Sequence, residues 1–138
     1  MELAFFMIPT DSTLRVVRPT DDVKQVAKMY SKALGFEMLK QFENQDGFDG
    51  IVLGHKKHNY HIEFVNKIGT SVGPAPTAEH LLVFYVDCSQ AWERACRNMI
   101  DAGFSVVEST NPYWEKVGKT FEDLDGYRVV LQNRDWDL

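Results

Sequence analysis

The chain lacks the features that mark membrane proteins and nucleic-acid-binding proteins. No apolar run approaches the roughly 20 residues that a membrane helix needs. The 15 Lys and Arg residues form no block and are outnumbered by 20 Asp and Glu residues, giving a net charge of −5. Neither a nucleic acid nor an anionic membrane is therefore expected as a partner. The opening segment MELAFFMIPTDS has no basic region ahead of its apolar patch, so no signal peptide is expected either.

Cysteine is also scarce. Cys88 and Cys96 are the two cysteines of the chain, and their spacing matches neither a zinc motif nor a disulfide framework. We expect two free thiols and a location in the reducing cytoplasm. What remains is an ordinary globular composition, with 44% hydrophobic and 25% charged residues in 138 positions. That length is enough for one domain with a sizeable apolar core.

Two segments of the chain repeat each other. TDDVKQVAKMYSKALGF (20–36) aligns without a gap onto CSQAWERACRNMIDAGF (88–104), and apolar residues recur at helical spacing in both. Each segment opens with a candidate N-cap, Asp21 or Ser89. Each ends in Gly-Phe, which is typical of a left-handed C-terminal cap followed by an anchoring aromatic residue. The repeat predicts two equivalent helices.

Strand-like segments flank both predicted helices. LRVV (14–17) precedes the first helix and HLLVFYV (80–86) the second, and three short apolar segments follow each. The last of these, HIEFVN (61–66) and RVVLQN (128–133), align with each other. Between the halves, GTSVGPAPTAE (69–79) has the composition of a linker. Each half therefore reads β-α-β-β-β, which predicts an α+β fold of two pseudo-symmetric modules.

Paired βαβββ modules that end in KTFEDLDGYRVVLQ (119–132) resemble the vicinal oxygen chelate superfamily of glyoxalases, bleomycin-resistance proteins and extradiol dioxygenases. The FEDLDGY turn is similar to the Asp-Pro-Asp-Gly hairpin of that superfamily, with Leu124 in the proline position. The resemblance implies a single domain with module one at about 12–67, a linker at about 68–79 and module two at about 80–134. It also implies a concave pocket shared by the two sheets, and a homodimer as an expected assembly.

The resemblance places the metal-ligand positions of the superfamily at Arg15, Glu63, Leu81 and Val130. Of these, Glu63 alone has a side chain suited to a divalent metal, because Arg15 is cationic and the two apolar residues have no donor atom. We therefore predict no metal cofactor, and we hypothesise that an Arg15–Glu63 ion pair takes the place of the metal. The alternative is a divalent metal bound by Glu63 and His80, which requires a shifted start of the strand near His80.

The segment GHKKHNYHIEFV carries three of the four histidines. Because side chains alternate between the faces of a strand, its apolar strand residues are predicted to pack against the helix. His61 and Glu63 then face the concave side. His55 and His58 fall in a turn and are predicted to be solvated.

Strand alternation also predicts the other walls of the pocket. The predicted ligand-binding residues are Arg15, Val17, His61, Glu63, Val83, Tyr85, Tyr113, Trp114 and Val130. Tyr113 and Trp114 belong to the segment STNPYWEKVG (109–118). This segment and FENQDGFDG (42–50) are expected either to cover the pocket or to pack against the domain body or a dimer interface. This mixture of polar and apolar walls suits a small amphipathic molecule.

Two functions remain open from the sequence. The first is a protein that binds a small organic molecule without a metal and without transforming it, as the bleomycin-resistance branch does. The alternative is a lyase, isomerase or dioxygenase of the superfamily, in which Glu63 acts as a catalytic general base or metal ligand.

Overall fold

Each half of the chain folds into a four-stranded mixed sheet with one helix, in a computed structural model that describes residues 7–137. Module one consists of β1 (Leu14–Pro19), α1 (Val23–Leu34), β2 (Glu37–Gln45), β3 (Phe48–Gly54) and β4 (Tyr60–Lys67). Its strands lie in the order β1-β4-β3-β2, and β1 is parallel to β4 while the other neighbours are antiparallel.

Module two repeats this arrangement. It consists of β5 (Leu81–Tyr85), α2 (Ser89–Asp101), β6 (Ser105–Val107), β7 (Gly118–Glu122) and β8 (Arg128–Gln132). The strand order is β5-β8-β7-β6, with β5 parallel to β8. A 3-10 helix of four residues lies between β6 and β7. The predicted α+β fold of two βαβββ modules is confirmed.

The ends of α1 follow the predicted chemistry with one correction. Gly35 adopts the left-handed conformation, with a φ of 70°, and its N–H donates to the carbonyl of Ser31. The N-cap, however, is Asp22, whose carboxylate accepts a hydrogen bond from the backbone N–H of Gln25. The predicted cap, Asp21, instead accepts hydrogen bonds from the linker segment 71–73. Asp22 therefore caps the helix, and the neighbouring Asp21 holds the linker in place.

The start of α2 also differs from the prediction. Cys88 occupies the N-cap position and makes no capping hydrogen bond, while the predicted cap Ser89 is the first helical residue. The aromatic residues after the helices do anchor them, since Phe36 and Phe104 are both buried. No helix within residues 7–137 has both the length and the apolar character required to cross a membrane.

One apolar core joins the two modules. Buried side chains of α1, β3 and β4 belong to the same cluster as buried side chains of α2, β7 and β8. The two helices also contact each other directly. Burying one shared core favours a fixed relation between the sheets, because separating the modules would expose both halves of it to water.

Buried polar contacts cross the same boundary. The Tyr30 hydroxyl donates to Oδ2 of Asp123 at 2.6 Å and accepts from Nη1 of Arg18 at 2.9 Å. Nearby, the Thr20 hydroxyl lies 2.6 Å from Oδ2 of Asp125. Both aspartates belong to the FEDLDGY turn of module two, whereas their partners belong to module one. This turn therefore fixes module two onto the start of module one.

Candidate functional site

The edges of the two sheets meet where β1 faces β5. A cavity of about 300 Å³ lies at this seam and is lined by residues of β1, β4 and β5. We call it the seam cavity. Its walls are mostly aliphatic and aromatic, and three predicted ligand-binding residues, His61, Val83 and Tyr85, belong to them.

Arg15 and Glu63 do not line this cavity, because strand alternation puts them on the other face of the sheet from the lining residues Leu14, Val16 and Ile62. In the parallel pairing of β1 with β4, Arg15 is opposite His61 and Val17 is opposite Glu63, so the four side chains share one face of the sheet. Buried Ile62 and Phe64 occupy the other face of β4. The strand alternation inferred from the sequence therefore holds in module one.

The hypothesised ion pair forms in the structure. Nη1 of Arg15 lies 3.1 Å from Oε1 of Glu63, and the side chains are 43% and 14% exposed, respectively. A pair this open to solvent contributes little to folding stability. The second oxygen of Glu63, Oε2, accepts no hydrogen bond from any side chain or backbone group of residues 7–137. The carboxylate of Glu63 and the guanidinium of Arg15 are therefore available to a molecule that binds on this face of module one.

The donor set at these positions does not fit a catalytic divalent metal. Glu63 is paired with a guanidinium, and Leu81 and Val130 carry no atom that binds a metal. Within the described part of the chain, no three His, Cys, Asp or Glu side chains come together as metal ligands. His80 is exposed, and its ring faces that of Tyr127 at 6.1 Å.

The concave face of module two is covered. Val130 is 0% exposed, so this predicted wall residue lies beneath the surface. Thr120 and Gln132 share its face, since they are paired with Val130 and Gly118, respectively, across β7 and β8. Both are buried, and neither Oγ1 of Thr120 nor Oε1 of Gln132 has a hydrogen-bond partner among residues 7–137. The structure therefore places two unused polar atoms in the interior of module two.

The 3-10 helix Pro112–Glu115 packs against β7 of this sheet. The carbonyl oxygen of Trp114 lies 2.9 Å from where a Cβ on Gly118 would sit. The rings of Tyr113 and Trp114 pack edge to face at a centroid distance of 4.9 Å. Neither ring lines the seam cavity. Tyr113 and Trp114, which were predicted to bind the ligand, therefore pack on module two, away from the cavity wall that contains His61.

The segment 42–50 is not a covering loop. It forms the β2–β3 hairpin, with a turn at Asp46-Gly47 whose residues have φ values of 54° and 88°. The Phe42 ring packs over Gly50 on the neighbouring strand, where a Cβ would collide with it. The expectation of a lid here was wrong, because Asp-Gly between two strand-forming segments is itself a hairpin signal.

His55 and His58 lie away from Glu63, on the helix side of the molecule. The His58 ring stacks on that of Tyr60 at 5.1 Å, and the half-buried His55 meets the ring of Phe36 edge to face at 5.7 Å. The prediction of a merely solvated turn was wrong for His55. The turn packs on aromatic neighbours that strand alternation alone could not identify.

Six of the nine residues that line the seam cavity were not predicted from the sequence, namely Leu14, Val16, Tyr60, Ile62, Leu82 and Phe84. Two of these six are Tyr60 and Phe84, and by strand alternation Phe84 faces the helices, as Leu82 does. Both side chains reach the cavity because the sheets end at β1 and β5 without pairing. Partial burial raises the pKa of the Tyr60 hydroxyl above its usual value of 10.0, so it is a neutral group at this wall.

Comparison with known families identifies both halves of the chain. Residues 14–65 match the family model of the YycE-like N-terminal domain, and residues 79–133 match that of the YycE-like C-terminal domain. The chain is 35% identical over 120 residues to the uncharacterized protein YycE of Bacillus subtilis strain 168, which covers 87% of this chain and 86% of that protein. The crystal structure of B. subtilis YycE matches with a TM-score of 0.83 at 34% identity over 91% of both chains. It is described as a protein of unknown function of the glyoxalase/fosfomycin resistance type.

More distant structures share the architecture. Glyoxalase I of Leishmania major has a TM-score of 0.67 at 17% identity, covering 88% of this chain and 86% of its own. TnmS3, an antibiotic binding protein from Streptomyces sp. CB03234, has a TM-score of 0.62 at 18% identity, covering 91% of this chain and 98% of its own. At these identities the similarity shows the fold alone.

Proposed function

Because the chain belongs to the YycE-like family of the vicinal oxygen chelate superfamily, we propose that it binds a small organic molecule in the cleft between its modules, without a metal. The observation that carries this proposal is the seam cavity, an apolar space between the edge strands of the two modules with His61 in its wall. Its volume of about 300 Å³ is at the lower end of the range for ligand pockets. TnmS3, an antibiotic binding protein, has the same fold, which supports binding as a function that this architecture performs.

The chemistry of the walls indicates what the ligand carries. Apolar side chains such as Val83 and Phe84 favour an apolar or aromatic body. Nδ1 of His61 is buried without a hydrogen-bond partner among residues 7–137, so it offers one unused polar atom at the cavity wall. We propose that Arg15, which lies between the lining residues Leu14 and Val16 in β1, binds a ligand carboxylate that projects from the cavity, since a guanidinium binds carboxylates with paired N–H donors. An aromatic carboxylate meets all three requirements.

A second candidate function rests on Glu63. Its shielded carboxylate keeps Oε2 free of hydrogen bonds from the described residues, and a general base must reach the proton that it removes. In this alternative the protein is a lyase, isomerase or dioxygenase, Glu63 is the catalytic base and Arg15 orients the substrate.

The location in the cytoplasm and the homodimer remain predictions from the sequence.

A binding experiment separates the two functions. The probes are 2-naphthoate and its neutral analogue 2-naphthylmethanol, titrated by calorimetry with and without EDTA. We expect 2-naphthoate to bind more tightly, by at least about fivefold, because the analogue lacks a charge for Arg15. EDTA should change neither affinity.

Variants test the residues. Arg15→Gln combined with Glu63→Gln removes the ion pair without leaving a lone carboxylate, and it should abolish the preference for 2-naphthoate. Arg97→Gln on the outside of α2 removes the same charge elsewhere and should keep the preference. Equal loss in both would overturn the assignment of Arg15. Stabilisation of the protein by Zn²⁺, Ni²⁺ or Fe²⁺, lost in Glu63→Gln, would favour the enzyme instead.

A further inference from the structure

A second cavity lies on the helix side of the molecule, between the turn that follows β3 and the surface of α2. Its volume is about 380 Å³, within the range of ligand pockets. We call it the helix-side cavity. Phe36, Phe84 and Leu131 contribute its apolar walls. It is distinct from the seam cavity of the proposed function because Leu14, Val16 and Ile62 do not line it, although Tyr60 and Phe84 line both cavities.

The rim of the helix-side cavity is basic. α2 contributes Arg94 and Asn98, which are four positions apart and therefore lie on one face of the helix. Lys32 of α1 faces them from the other side, together with His55 and His58 of the turn. No Asp or Glu is among the described residues that line this cavity, although the chain as a whole is acidic.

The two permanent cations of this rim are free to bind an anion. Neither Lys32 nor Arg94 has a carboxylate within ion-pair distance in residues 7–137. The nearest carboxylate contact of the rim is that of Glu37, whose Oε1 lies 3.6 Å from Nδ1 of His55. Lys32 also has a local role, since a cation in the last turn of a helix offsets the partial negative charge there. Arg94 has no such explanation.

The rim and the apolar walls together define a ligand class. The ring pair formed by His58 and Tyr60 offers a flat surface, stacked at 17° between the ring planes. Aromatic groups pack favourably on such rings. The rim offers more hydrogen-bond donors than the two oxygens of a carboxylate can accept: two cations, an amide and two imidazoles. This number of donors matches the larger number of oxygens and the higher charge of a phosphate. We propose that the helix-side cavity binds the phosphate monoester of a small aromatic or apolar molecule.

Phenyl phosphate is the probe for this site. In a ¹H–¹⁵N NMR titration of the whole protein, we expect shifts of backbone amides in segments 32–36, 55–60 and 91–98. Phenol and inorganic phosphate, added separately, should each bind at least about tenfold more weakly, because each lacks one half of the recognition. Tight binding of inorganic phosphate alone would show an anion site without a role for the rings, and it would overturn the assignment of an aromatic monoester.

Substitutions identify the cations. Arg94→Gln should weaken phenyl phosphate at least about fivefold. Arg97→Gln changes the same charge on the same helix outside the cavity and should have an effect of less than twofold. A similar loss in both variants would mean general electrostatic attraction and would overturn the site. Shifts that cluster in segments 14–16 and 82–83 would also overturn it, because phenyl phosphate would then occupy the seam cavity. Failure of 2-naphthoate to bind in the cleft would leave this result unaffected, so the two proposals fail separately.

Discussion

At the scale of single residues, Asp123 has the most demanding environment in the described structure. Its side chain is fully buried, and its oxygens accept hydrogen bonds from Tyr30, Arg18 and the backbone N–H groups of Asp125 and Tyr127. Burial raises the pKa of Asp123 above the usual value of 3.8, while the hydrogen bond from Tyr30 is the largest influence that lowers it. The carboxylate is tolerated because each of its oxygens faces donors.

Tyr30→Phe tests this arrangement. Removing the hydroxyl takes a donor from a buried carboxylate, so we expect the free energy of unfolding to fall by about 1–3 kcal/mol at pH 7. The loss in free energy of unfolding should also change with pH, because it depends on the charge of Asp123. Without its donor, Asp123 has a still higher pKa in the folded state, and such a group adds stability at low pH that is lost as the pH rises through that value. The penalty should therefore be smaller at pH 4.5 than at pH 7.

Urea denaturation at both pH values is the measurement, with Tyr60→Phe as the control. The Tyr60 hydroxyl makes no hydrogen bond within residues 7–137, so that variant should lose less than about 0.5 kcal/mol at either pH. A penalty for Tyr30→Phe that is equal at both pH values would contradict the dependence on Asp123.

At the scale of elements, the helices and the strand faces were predictable from the sequence. Apolar residues at helical spacing identified both helices, and alternation placed His61 and Glu63 on the face opposite Ile62 and Phe64. These patterns are local, since each follows from the geometry of a single helix or strand. The hairpin at 42–50 carried a local signal too, but its aromatic residues suggested a lid.

Contacts between elements could not be predicted in this way. The close approach of the 3-10 helix to Gly118 depends on how that helix packs on β7, and the aromatic contacts of His55 depend on the end of α1. The exposure of Tyr60 and Phe84 depends on two strand edges that do not pair. Such features follow from the packing of elements against each other, which neither alternation nor helical spacing describes.

Gly118 decides how the 3-10 helix rests on β7. A Cβ at this position would collide with Oε1 of Gln132 and would lie 2.9 Å from the carbonyl oxygens of Leu131 and Trp114. Because two of these neighbours are backbone atoms, we expect Gly118→Ala to displace the helix and to reduce the free energy of unfolding by about 1–3 kcal/mol. The displacement should be visible as a shift of tryptophan fluorescence in the folded protein.

Gly54→Ala is the matched comparison. Its Cβ would meet neighbours at 3.1–3.2 Å, two of which are side-chain atoms that can move. We expect a loss less than half as large and an unchanged fluorescence spectrum. If both substitutions gave equal losses, the close approach of the 3-10 helix would not be the cause.

At the scale of the whole molecule, the shared core predicts that the two modules unfold together. All three tryptophans follow residue 88 in the sequence, so their fluorescence reports on module two. Leu53 is buried in module one, and Leu53→Ala should cost about 2–5 kcal/mol. We expect this substitution to shift the fluorescence transition in urea as much as the far-ultraviolet circular dichroism transition.

Coincident transitions are the signature of one cooperative unit. If Leu53→Ala shifted the circular dichroism signal alone, the modules would unfold independently and the core between them would contribute little. Met99→Ala, a buried change in α2, serves as the comparison. In one cooperative unit it should shift both signals equally, whereas in independent modules it would shift the fluorescence transition and only the module-two part of the circular dichroism signal.

Tyr60 and Phe84 belong to the walls of both the seam cavity and the helix-side cavity. Molecules in the two cavities would touch the same two rings. A ligand that favours one arrangement of these rings therefore changes the affinity of the other cavity, and the factor is the same in either direction. Each ligand would act as an effector of the other, across a partition no thicker than an aromatic side chain.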